Sequence, residues 1–315
     1  MAGYICNLSE NVTREHVRYQ NRYGLAIAGD LYTAKGMNRE EKHPALIVGA
    51  PYGGVKEQGP SVYANELAKR GFVVLTFDPC YMGESGGEPR HVSSPDLFTE
   101  NFSAGVDFLG LQTFVDREKI GAIGICGSGG VFALSAAAMD VRIRAVATAS
   151  MYDMTVAARL GLETKEDVLR AKKALCEQRW KDAENGLPQY VPYFPEEPLD
   201  EVPAELEEPT AEWFRFYAVR RGFHPNARGG FTTTSDLAFM NYNLLDHIDE
   251  ISPRPILFVM GDRAHSRFFS ENAYAAAQEP KEIYNVKDAE HIDLYDRVDR
   301  IPFDKLERFF KENLK

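Results

Sequence analysis

Apolar positions along the chain fall into two kinds of run. Short continuous runs at 45–49, 72–77, 120–125, 144–149, 255–260 and 282–286 have the length and composition of strands. Between them, 61–70, 97–114, an Ala-rich segment reaching about 139, 270–277 and 303–314 carry apolar residues at helical spacing. Strands buried on both faces read as unbroken apolar runs, so this alternation predicts a predominantly parallel sheet sandwiched by helices. Upstream, two partly alternating runs between His16 and Tyr32 flank Asn21-Arg22-Tyr23-Gly24 and predict a hairpin or an antiparallel edge.

The alternation breaks between residues 154 and 250. That stretch holds a helical segment near 165–180 and a Pro- and Glu-rich passage at 186–209. An aromatic helix candidate, Glu212-Trp-Phe-Arg-Phe-Tyr-Ala-Val, follows. A connection this long between two strands reads as an insertion rather than a loop. The organisation expected is an α/β core of residues 1–153 and 251–315 with a helical cap at 154–250. A length of 315 residues suits one enlarged domain of this kind.

The most informative segment is Lys119-Ile-Gly-Ala-Ile-Gly-Ile-Cys-Gly-Ser-Gly-Gly130. An apolar strand enters, glycines crowd the turn and a helix leaves. Such a turn forces its central residue into a strained, exposed position and needs small neighbours where the backbone passes close to itself. Gly124 and Ser128 supply them around Cys126. Ser128 offers a competing nucleophile, but Cys126 directly follows the buried strand and is the residue favoured. The following helix N-terminus is expected to favour thiolate, and a thiolate needs less help from a base than an alcohol.

Two further glycine-rich loops follow strands: Pro51-Tyr-Gly-Gly-Val-Lys-Glu57 and Phe77-Asp-Pro-Cys-Tyr-Met-Gly-Glu-Ser-Gly-Gly-Glu-Pro-Arg90. The second lacks the ending of a phosphate-binding loop and the spacing of a dinucleotide site. In their order, and with the turn at Cys126, these segments resemble the α/β-hydrolase superfamily. The likeness is to the group of dienelactone hydrolases and X-prolyl-peptidase-like esterases, and it covers residues 44–153 and 255–315. Dienelactone hydrolases also use a cysteine nucleophile.

The resemblance implies the rest of the site. His291, in the loop after the last strand, takes the position of the catalytic base. Asp262, after the strand at 255–260, takes the position of the acid, although many relatives carry it where Ala264 stands. Asp153 is the alternative acid, and His265 reads as structural or as a cap contact. The oxyanion hole falls to the backbone N–H groups of Gly127 and Tyr52. Within the cap, Trp213 and Phe216 are candidates to line an apolar acyl pocket, or simply to pack the cap itself.

Composition narrows the partners. A net charge of -11, from 47 acidic and 36 basic side chains, argues against binding a phosphate backbone. The N-terminus has no signal-peptide pattern, and no run approaches the ~18–20 apolar residues that cross a bilayer. The four cysteines are scattered and form no CxxC pair, which speaks against a disulfide framework or zinc site and suits a reducing cytoplasm. No metal or organic cofactor is implied. The partner expected is a small-molecule acyl substrate, with no nucleic acid and no membrane; a homo-oligomer is compatible with the sequence. The chain is expected to hydrolyse an ester or thioester through a Cys-His-Asp triad and a covalent acyl-enzyme. The alternatives are an acyltransferase or cyclase, and a non-catalytic small-molecule-binding protein on the same fold.

Overall fold

The computed structural model describes residues 3–315, apart from the side chains of 128–131. Its sheet has eight strands: β1 (Val12–Gln20), β2 (Ala26–Ala34), β3 (His43–Gly49), β4 (Val73–Phe77), β5 (Val115–Ile125), β6 (Ile143–Ala149), β7 (Ile256–Gly261) and β8 (Lys281–Val286). They lie in the order β1-β2-β4-β3-β5-β6-β7-β8. The first two form the expected hairpin, and β2 joins β4 antiparallel. Every other pairing is parallel. This is the α/β-hydrolase fold. Burial explains the sequence pattern: β3, β4 and β7 are apolar and almost wholly buried, whereas the edge strands β1 and β8 alternate or turn polar.

Helices cover both faces. On one, α1 (Gly59–Ala68) packs with α10 (Phe303–Asn313); on the other, α2 (Pro95–Leu111) packs with α3 (Cys126–Met139). Gly121 on β5 shows how tightly a helix is seated, since a Cβ there would come within 2.7 Å of the Phe310 ring. Only glycine lets α10 lie so close to the sheet.

Between β6 and β7 runs the long insertion, with α4 (Met154–Ala157), α5 (Lys165–Asn185), α6 (Thr210–Tyr217) and α7 (Asp236–Phe239). After β7 come α8 (Arg267–Ala276) and, after β8, α9 (Asp293–Asp296). The insertion rests on loops that leave the carboxyl ends of the parallel strands. Gln58 Nε2 donates to the Gly222 carbonyl at 2.6 Å, Ser93 N–H to Ser235 Oγ at 3.1 Å, and Thr232 N–H to the His91 carbonyl at 3.0 Å. The outer helix α5 differs: it starts with a Thr164–Asp167 capping box and has no buried residue, so Trp180 faces solvent. By contrast, α6 buries Ala211, Glu212, Phe216 and Tyr217.

Candidate active site

Strand β5 delivers Cys126 to the top of the sheet. Its φ is +55°, a left-handed conformation that side-chain-bearing residues adopt at a cost of about 1–3 kcal/mol and that gathers at functional sites. Four groups approach its Sγ. His291 Nε2 lies 3.3 Å away. The backbone N–H groups of Gly127 and Tyr52 both face the sulfur, as does the Tyr295 hydroxyl. Gly127 is closely packed, since a Cβ there would meet Met154 Sδ at 2.8 Å and Tyr52 Cβ at 3.2 Å. The residues expected to form nucleophile, base and oxyanion hole are therefore brought together. Ser128, the competing nucleophile, has its side chain outside the described residues.

The loop bearing Tyr52 is held on two sides. The Tyr52 ring stacks on Phe231 of the insertion at 4.0 Å, and its hydroxyl bonds to Ser93 Oγ at 2.5 Å. A few residues on, the fully buried Lys56 ammonium bonds to Asp78 at 3.2 Å, to Glu84 at 2.9 Å and to Glu57. Asp78 in turn accepts the backbone N–H groups of Lys56 and Glu84, each at 2.8 Å. Burial works against the Lys56 charge, but the surrounding carboxylates outweigh it and hold the ammonium well above its ordinary range. Glu57, Asp78 and Glu84 bring oxygens near enough to one another to suggest a metal site, yet the Lys56 ammonium already bonds all three. The two glycine-rich loops are thus fastened into a platform for the oxyanion hole.

Electrostatically the resting pair is neutral. Burial pushes the Cys126 thiol up to about 11, against the lowering effect of the hydroxyl and N–H groups around it. Burial also pushes His291 down to about 3, with His265 adding and Glu212 opposing. The helix N-terminus was expected to favour thiolate; in this closed site desolvation dominates, because excluded water solvates neither ion. His291 Nδ1 lies 2.5 Å from Ser266 Oγ. With its proton donated there, Nε2 keeps its lone pair for the thiol, and the Tyr295 hydroxyl reaches the same nitrogen at 2.9 Å.

Neither expected acid reaches the imidazole. Asp153 is the N-cap of α4 and accepts Thr155 N–H at 2.8 Å, Thr155 Oγ1 at 2.6 Å and Val156 N–H at 3.2 Å. Asp262 links β7 to β8 through its backbone, and its Oδ1 is buried with no hydrogen-bond partner among the described residues. The carboxylate whose charge reaches the base comes from the insertion. Glu212 on α6 accepts the Ile292 N–H at 3.1 Å and pairs with His265 Nδ1 at 2.7 Å. Although burial works against its charge, His265, that N–H and the two imidazoles together hold Glu212 below the usual carboxylate range.

Of the cap aromatics singled out, Trp213 sets its ring edge-on to Tyr152 and His265, each about 6 Å away. Phe216 is fully buried against Tyr295 and Tyr217 and packs the seam between insertion and core. Ser266, Tyr295 and Glu212 were not found by reading the sequence. Ser266 and Tyr295 sit four residues beyond Asp262 and His291, where a register argument could have reached them; Glu212 had no such signal.

No family model matches the chain. It is 50% identical over 313 residues to the PA2218 protein of Pseudomonas aeruginosa, covering 98% of this chain and 82% of that one. The crystal structure of PA2218 matches with a TM-score of 0.93 at 48% identity, over 98% of this chain and 96% of that one. The thiohydrolase aneE of Aspergillus aculeatus is 28% identical over 254 residues, 79% of this chain and 76% of its own. The polyketide transferase GrgF of a Penicillium species is 25% identical over 288 residues, 90% of this chain and 92% of its own. Its crystal structure, described as an α/β hydrolase, matches at a TM-score of 0.74 and 20% identity over 96% and 99% of the two chains, which is a likeness of fold.

Proposed function

The chain belongs to the α/β-hydrolase superfamily, in the family of PA2218, and on that premise we propose that it hydrolyses an ester or thioester with Cys126 as nucleophile. The observation that carries this reading is the convergence on one sulfur of His291 Nε2, at 3.3 Å, and the N–H groups of Gly127 and Tyr52. His291 takes the thiol proton as Sγ attacks the carbonyl carbon, and the oxyanion moves into the position that the two N–H groups face. The leaving group departs with the proton held by His291, and water resolves the acyl-enzyme. A neutral thiol–imidazole pair suits this order, since proton transfer then accompanies attack instead of preceding it. Ser266 holds the imidazole, in the role that a carboxylate fills in a Cys-His-Asp arrangement. Trp213, edge-on to Tyr152 and His265, is the cap residue assigned to the acyl group in this reading.

One observation favours a second reading, transfer to an acceptor other than water. Cys126 is 7% exposed and His291 fully buried, so water has little access to the closed site. The names of aneE, a thiohydrolase, and GrgF, a polyketide transferase, span both outcomes. Turnover of p-nitrophenyl esters and acyl thioesters by the wild type and Cys126→Ala tests the shared chemistry. Full turnover by Cys126→Ala would overturn the proposal. Release of free acid identifies hydrolysis, and product formation only with an added alcohol or amine identifies transfer.

A further inference from the structure

Beside the base lies a second imidazole that this mechanism does not use. His265 Nδ1 is 2.7 Å from the Glu212 carboxylate, so the ring proton sits on that nitrogen and Nε2 carries the lone pair. That Nε2 is buried and has no hydrogen-bond partner among the described residues. A buried acceptor without a partner is costly, at about 1–3 kcal/mol, and calls for a ligand or a function. The ring also borders the reacting centre. Its centroid is 5.0 Å from that of His291, and Tyr152 faces both rings, at 6.1 Å and 5.8 Å. Burial raises the Tyr152 phenol and the Cys126 sulfur adds to it, so Tyr152 lies beside the sulfur as well as both histidines.

We propose that the Glu212–His265 pair is a second acid–base unit that deprotonates the acyl acceptor, leaving His291 to serve the thiol. The proposal rests on the acyl-enzyme reading above and deepens it by dividing the two half-reactions between two histidines. In the second half-reaction the acceptor oxygen, from water or an alcohol, bonds to the carbonyl carbon. Its proton passes to His265 Nε2. The C–S bond breaks with its electron pair on sulfur, and the thiolate recovers a proton as the His265 imidazolium gives one up. Glu212 is a positioning residue: it fixes the tautomer of His265 and offsets the charge the ring acquires. Because Glu212 is carried on α6, the unit is complete only while the insertion is seated on the core. Resolution of the acyl-enzyme is thereby tied to the closed cap.

The test separates the two half-reactions. Wild type, His265→Gln, Glu212→Gln and His291→Gln are mixed with excess p-nitrophenyl ester. The p-nitrophenol burst reports acylation, and intact mass after quenching reports how long the acyl-enzyme survives. His265→Gln is expected to keep a burst within about twofold of wild type while deacylation slows about tenfold or more, so that the adduct accumulates. Glu212→Gln should slow the same step, and His291→Gln should lose the burst itself. The retained burst shows that the variants are folded. Wild-type deacylation in His265→Gln, or an equal fall in both steps, overturns the division of labour while leaving Cys126 chemistry intact. A wild type that forms no adduct overturns the acyl-enzyme reading, and this inference with it.

Discussion

The contact between Ser266 and His291 makes a prediction that separates this site from a carboxylate-assisted one. In Ser266→Ala the buried Nδ1 loses its hydrogen-bond partner, Oγ at 2.5 Å. An unsatisfied buried polar group costs about 1–3 kcal/mol. That cost grows as the ring takes the thiol proton, because a bond from a cationic donor is roughly twice as strong as a neutral one. At about 1.4 kcal/mol per tenfold, kcat/KM should fall about 10- to 100-fold. Asp262→Asn is the matched control: its Oδ1 has no partner to lose, so activity should stay within about twofold of wild type. Both variants are assayed as kcat/KM on one p-nitrophenyl ester, with thermal melts to confirm folding. A loss of a thousandfold or more in Asp262→Asn beside a nearly intact Ser266→Ala would return the acid to Asp262.

Other consequences can be checked as directly. Because burial pushes the Cys126 thiol up to about 11, its alkylation by iodoacetamide in the free enzyme should rise about tenfold per pH unit from neutrality towards 10, the thiolate being the reactive form. Peptide mapping separates Cys126 from the exposed Cys176, and a rate already level at pH 7 would show a preformed ion pair instead. Gly127→Ala drives a methyl group into Met154 and Tyr52, so both oxyanion donors shift; kcat should drop about 100-fold or more with stability lowered by roughly 1–3 kcal/mol. Lys56→Met leaves Asp78 buried without its cation and should cost about 3–5 kcal/mol in urea unfolding, and an unchanged midpoint would contradict the platform role. Trp213→Ala should raise KM for bulky acyl esters more than it lowers kcat, and an unchanged KM would remove Trp213 from the acyl site.

What the sequence disclosed follows from where constraint is local. Parallel strands buried on both faces have to be unbroken apolar runs, so β3 to β7 were readable one by one, as was the turn that sets Gly124 and Ser128 around Cys126. The edge strands blurred, since β1 begins at Val12 among exposed polar residues. His291 could be placed from its position after the last strand, and Tyr52 from the loop after β3. The partners of His291 could not, because they depend on how separate segments pack. Asp153 stands at a strand end as an acid should, but the short helix after it uses the carboxylate as a cap. Asp262 stands one residue beyond β7, while the side chain that meets Nδ1 comes from Ser266, after the chain has turned towards α8. Glu212 arrives from the insertion, where no repeating motif marks a position. The Lys56 network illustrates the same limit: its four charged residues come from two loops that meet only once the sheet has formed.

The central claim is that an acyl group passes through Cys126. Brief treatment with a p-nitrophenyl ester, acid quenching, and mass analysis of the intact chain and its peptides test it most directly. One added acyl group is expected, located on the peptide containing Cys126 and absent from Cys126→Ala. An adduct elsewhere, or p-nitrophenol release by Cys126→Ala at the wild-type rate, would contradict it.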